Sequence, residues 1–272
     1  MAGRVRAVRD QPEQQAPPVQ RLRMRYAKRG RLRFTSHRDF SRAFERAVVR
    51  ARVPMAYSSG FNPHPRISYA GASPTGAASE AEYLEIGLSQ PSEPAAVLAA
   101  LDEALPPGLD LLEVRVSTGG SLSDLLEASV WRTRVPDLAP DAAEAAVRAF
   151  LATREVLVER MTKRGLRSFD CRGAVVALSV IAPAAVHGRD AAAPSGDAAA
   201  IAGVGEGECA ILEMVLRHGT PTVRPDDVLA GLRITSGLET GAAPFHERLA
   251  QGPLDTKTGT VGDPLALNRD TA

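Results

Sequence analysis

His37 and His64 are the two histidines that sit in strongly patterned surroundings; three others stand at 187, 218 and 246. Two imidazoles beside a basic surface are the equipment of metal-independent RNA cleavage, one as base and one as acid. Both also have structural uses. His37 stands at the start of a predicted helix, where it can take part in capping. His64 stands between Pro63 and Pro65 and can hydrogen-bond within its loop. The denser signal is basic. Arg23, Arg25, Lys28, Arg29, Arg31 and Arg33 surround Tyr26 and Phe34, a mixture suited to phosphates and stacked bases. Arg38, Arg42, Arg46 and Arg50 follow at four-residue spacing, with only Asp39 and Glu45 to offset them. On a helix they share one face and repel one another unless an anion lies alongside. Asn62, His64 and Arg66, in and just after the loop GFNPHP, would shape such a site. Lys163 and Arg164, with Arg160, Arg167 and Arg172 nearby, repeat the basic character later in the chain. The plain alternative for each cluster is solvated surface.

Other chemistries lack their residues. Neither glycine-rich phosphate loop occurs, nor the serine elbow, nor the paired-histidine zinc motif. The aromatic signature of an RRM is also missing. Cys171 and Cys209 are the only cysteines. Two thiols exclude a disulfide framework, a zinc site on three or four thiolates, and an iron–sulfur cluster held by three or four thiolates of this chain. No cofactor is expected.

The elements that must position these residues follow from periodicity. From Arg21 to Tyr26 basic and apolar residues alternate, the period of a half-buried strand, with Leu22, Met24 and Tyr26 inward. After a turn at Lys28-Arg29-Gly30, residues 31–34 resume the alternation. Ser36 to Asp39 reads as a capping box opening a helix to about Arg52, buried through Phe40, Phe44, Ala47, Val48 and Ala51. Pro54 ends it. Strands are expected at 67–70, 80–88 and 109–116 and a helix at 94–105, giving β-α-β-β-α-β. A second, looser set follows: a strand at 128–135, a helix at 141–153, a strand at 155–161, strand or short helix at 173–181, a strand at 210–216 and a short helix at 225–232. The expected fold is α+β, two ferredoxin-like domains in tandem, 21–118 and a degenerate copy at 125–235. Residues 1–20 are expected to be a disordered basic arm, 183–207 a floppy Ala/Gly-rich insertion and 236–272 a disordered tail.

The chain has 272 residues, 44% hydrophobic and 24% charged, which are globular values. No apolar run approaches the roughly 20 residues of a membrane helix, and the N-terminus lacks the apolar stretch of a secretory signal, so a cytoplasmic protein is expected. The net charge of +1 hides an asymmetry. Residues 1–52 hold 15 Lys/Arg against 4 Asp/Glu, a local net of +11, so the remainder carries −10. Such a split points to a polyanion or an acidic protein surface as partner.

The stretches KRGRLRFTSHRDF, AYSSGFNPHPRISYA and SEAEYLEIGL, in that order, resemble the radical-SAM-linked protein family, and KRGLRSFDCRG and RPDDVL are similar to its later motifs. The similarity runs from about Arg21 to Leu232. The chain departs from the family pattern at Arg38, where an apolar residue is usual, and over 70–76, where a more apolar segment is usual. The resemblance implies a partner, a cobalamin-binding radical SAM protein encoded beside or fused to family members, and in some genomes a nearby ribonuclease E/G gene. With two cysteines, this chain would leave radical chemistry to the partner.

The expectation is therefore a non-catalytic RNA-binding accessory protein acting with a radical SAM partner. One alternative is a protein-interaction module docking that partner without nucleic acid. The other is a metal-independent endoribonuclease using His37 and His64.

Overall fold

A computed structural model of the chain describes residues 14–162, 165–182 and 208–266. Lys163, Arg164, residues 183–207 and most of residues 1–20 lie outside the described residues, and with them the expectations made there.

The alternation at the start of the chain builds β1 (Gln20–Lys28). Leu22, Met24 and Tyr26 point into a core with Phe40, Phe44, Ala47 and Val48 of α1 (His37–Arg50). Ser36 caps that helix: the Asp39 N–H donates to Ser36 Oγ at 3.2 Å, and the Ser36 hydroxyl donates to the Asp39 carboxylate at 2.7 Å. Between β1 and α1 the expected strand at 31–34 is instead a 3-10 turn, Gly30–Phe34. Gly30 takes φ +54°, a left-handed conformation that breaks the extended chain there.

β2 (Ile67–Ala70), β3 (Ala78–Leu88), α2 (Pro94–Ala104) and β4 (Leu111–Val116) complete the first half. Its strands lie in the order β4-β1-β3-β2, each pair antiparallel. The second half runs β5 (Ala128–Pro136), α3 (Pro140–Ala152), a separate hairpin of β6 (Leu157–Thr162) and β7 (Gly165–Asp170), β8 (Val175–Ile181), β9 (Cys209–Arg217) and α4 (Pro225–Ser236). It ends in β10 (Phe245–Gly252). Its main strands lie in the order β10-β5-β9-β8, again antiparallel. If the hairpin is set aside, this is the connection of the first half repeated.

Two expectations are corrected here. The tail is not uniformly unstructured: β10 falls inside it and occupies the middle of the sheet. The second unit therefore extends to 252 rather than stopping at 235. The halves are also not two free-standing sheets. β10 pairs in parallel with β3 through Glu247↔Ala78 and Arg248↔Ser79, which fuses both halves into one eight-stranded sheet. Beyond β10, Leu265 packs with Ala70, Ala81, Tyr83, Leu122 and Leu126.

Each half keeps its own apolar core. The seam between them is polar and buried. Arg248 donates to Glu82, to the Gly71 carbonyl at 2.7 Å, to Gln251 at 2.9 Å and to Ser79 at 3.2 Å. Burial alone would push the Glu82 carboxyl up, but Arg248, Ser79, Lys28 and the Ser73 N–H together hold it below the usual carboxylate range. A buried charge with these partners is tolerated; one without them costs several kcal/mol.

Candidate nucleic-acid interface

The outward face of β1 is not an open basic platform. Arg23 is 1% exposed; its Nε donates to Glu85 at 3.0 Å and its Nη2 to the carbonyls of Gly119 and Gly120 at 2.6 and 2.9 Å. Arg21 pairs with the same Glu85 at 3.3 Å, and Arg25 with Glu113 at 3.5 Å. Arg23 and Glu85, like Arg25 and Glu113, are direct cross-strand neighbours in the ladder. Arg29 is clamped by Glu80 and by Asp110 at 2.7 Å, and its hydrogen bond with Glu80 raises its pKa above the ordinary value. Lys28 is buried, donates to the Pro74 carbonyl at 3.3 Å, and is pulled down by desolvation. The expectation that Arg23 and Lys28 hold phosphates is therefore corrected: their charge is consumed inside the fold. Part of the charge asymmetry along the chain is mixed in space, because β3 and β4 bring carboxylates to the arginines of β1.

The arginines of α1 differ. Phe40, Phe44, Ala47 and Val48 bury one side of the helix, leaving Arg38, Arg42, Arg46 and Arg50 exposed. None forms an ion pair among the described residues, nor does the exposed Arg31. Successive members of the row stand about 6 Å apart along the helix axis. Arg46 and Arg50 border a groove of about 350 Å³ closed by the end of α2 and by Pro106 and Pro107.

The GFNPHP loop is held by its own backbone. The Ser58 N–H donates to the His64 carbonyl at 2.9 Å, and the His64 N–H to Ser58 Oγ at 3.0 Å. Arg66 Nε donates to the Tyr57 carbonyl at 3.1 Å. Gly60, at φ +125°, makes a turn that other residues would strain to adopt. Phe61, Asn62 and His64 are exposed at its tip. The strand that follows carries Tyr69, whose ring meets His37 edge-on at 4.9 Å. Among the described residues no hydrogen bond or ring contact joins His37 to His64. Lys163 and Arg164 lie outside the described residues; their neighbour Arg160 donates to Asp227 at 2.7 Å and lies over the Phe169 ring.

The thiols are quiet. Cys171 is fully buried, and burial pushes its thiol up to about 12. Burial also raises Cys209. No helix among the described residues is long and apolar enough to cross a membrane.

Residues that sequence reasoning passed over cluster where the halves meet: Asp226, Phe245 and His246 stand beside Arg33 and Phe34 around one cleft. For Phe245 and His246 the only local signal is an aromatic followed by a histidine in the expected tail, whereas Asp226 lies in the RPDDVL stretch and the helix expected at 225–232.

No curated protein matches the chain. Residues 21–225 match the model of a family described as an uncharacterized protein conserved in bacteria (DUF2344). That span covers the whole first half, the GFNPHP loop and most of the second half, and the chain belongs to this bacterial family.

Proposed function

We propose that the chain is a non-catalytic RNA-binding protein, built on two ferredoxin-like βαββαβ units and acting as accessory to a radical SAM partner. One observation carries the RNA reading: α1 exposes Arg38, Arg42, Arg46 and Arg50 in a row without a carboxylate partner among the described residues. The outward arginines of β1 are paired with Glu85 and Glu113, whereas this row has no carboxylate paired with it among the described residues. Like charges at four-residue spacing destabilise a helix, and phosphates alongside would reverse that cost. The partner rests on the motif resemblance and on two cysteines being too few for a radical SAM cluster in this chain.

The test is fluorescence anisotropy of a labelled single-stranded RNA across a salt series. Affinity falls steeply with salt if phosphates are bound, by about 0.7 in log–log slope per phosphate on a single strand. Arg42→Gln/Arg46→Gln lowers that slope by about 1.4. Absence of binding at low salt overturns the reading and favours docking of an acidic protein. RNA left intact in EDTA over the same incubation removes the endoribonuclease alternative. Failure of the radical SAM protein to co-purify removes the accessory role.

A further inference from the structure

The seam between the halves opens into a cleft of about 380 Å³. Both halves line it, the first through Arg33 and Phe34, the second through Trp131, Asp226, Phe245 and His246. The volume suits a small ligand or one nucleotide unit.

The lining has a definite chemistry. The Arg33 guanidinium lies 4.6 Å from the Phe34 ring centroid and 5.1 Å from that of Phe245, so the cation is held between rings from the two halves. It has no ion pair among the described residues. Phe34 is 59% exposed, a large aromatic surface left to solvent. Asp226 Oδ1 accepts from His246 Nε2 at 2.9 Å, and that hydrogen bond holds its carboxyl below the usual range. The other oxygen has no partner among the described residues, and the side chain is 67% exposed. His246 Nδ1 takes the Thr133 hydroxyl at 3.0 Å. A Thr-His-Asp set resembles a nucleophile relay, but Thr133 is completely buried and cannot meet a substrate. The set is a brace that fixes the Asp226 carboxylate at the cleft.

We infer that this cleft takes one nucleotide of an RNA strand and prefers guanine. Phe34 stacks on the base, the Asp226 carboxylate accepts from the base edge, and Arg33 pairs with the phosphate. An ionised carboxylate offers only acceptors. Guanine presents two adjacent N–H donors to it. Adenine and cytosine present one donor beside an acceptor, and uracil presents a single N–H flanked by carbonyls that repel. The strand context rests on the RNA-binding reading, but the cleft can be tested without it, because a free nucleotide does not need the α1 arginines.

The experiment is equilibrium dialysis of GMP, UMP and inorganic phosphate against the full chain, read in parallel with tryptophan emission. Trp131 is the single tryptophan and lines the cleft. GMP is expected to bind with a dissociation constant of about 1 mM or tighter, and UMP about tenfold more weakly. Phe34→Ala weakens GMP about tenfold, the effect of losing one stacked base. Asp226→Asn, with unchanged circular dichroism, brings GMP and UMP together. No retained GMP, phosphate binding as tightly as GMP, or an unaffected Phe34→Ala overturns the inference. GMP bound by a protein with no salt-dependent RNA affinity removes the α1 reading alone; RNA bound without GMP removes the cleft alone.

Discussion

Arg23 and Arg42 carry the same group into opposite surroundings, and their variants separate structure from binding. Arg23→Gln leaves the mostly buried Glu85 with only Arg21 and Ser117 and frees two carbonyls, so it is expected to cost about 2 kcal/mol in urea unfolding while leaving the RNA salt slope unchanged. Arg42→Gln touches nothing inside the fold and is expected to do the reverse. His218 supplies a second test at this scale. Its ring bonds the Leu126 carbonyl at 2.6 Å and Ser129 at 3.1 Å, and desolvation lowers its pKa below the ordinary 6.5. The unfolded chain thus takes up a proton near pH 6.5 that the folded chain refuses. Stability is full above that pH and declines as pH falls toward the folded value. His218→Gln should flatten this part of the stability–pH curve; an unchanged decline would assign it to other groups.

At the scale of elements, α1 was the most legible part of the chain. Its cap, its buried stripe and its arginine row all follow from local spacing, and Ser36→Ala should cost about 1 kcal/mol, read from chemical denaturation. β1 was legible as a strand, but the role of its arginines was not. Their carboxylates come from β3 and β4, with Glu85 62 residues from Arg23, and no local pattern announces a cross-strand partner at that distance. β10 was missed for a related reason. Its buried side chains include Arg248 and Gln251, so it lacks the apolar alternation of a strand and reads as tail. What makes it a central strand is Glu82 and Ser79, 166 and 169 residues earlier. The cleft residues were hidden with it, since Phe245 and His246 acquire meaning only when β10 brings them to Arg33.

For the whole molecule, β10 is the bond between halves. A chain ending at 240 would expose the edges of β3 and β5 and strand Glu82 in the interior without Arg248. We expect it to lose cooperative thermal unfolding and to aggregate, since an unpaired buried charge alone costs about 3–5 kcal/mol and open strand edges associate. A truncated chain as soluble and cooperative as the full one would contradict the fused sheet. Arg248→Met should lose a similar amount, and adding Glu82→Gln should recover part of it, because the second change removes the orphaned charge.

The central claim is that the open arginine row of α1 binds RNA phosphates, and the salt dependence of RNA affinity tests it most directly. Wild-type protein should bind single-stranded RNA at low salt with a steep negative log–log slope, and Arg42→Gln/Arg46→Gln should reduce that slope by about 1.4 while Arg23→Gln leaves it alone. Binding that ignores salt, or no binding at all, would contradict it.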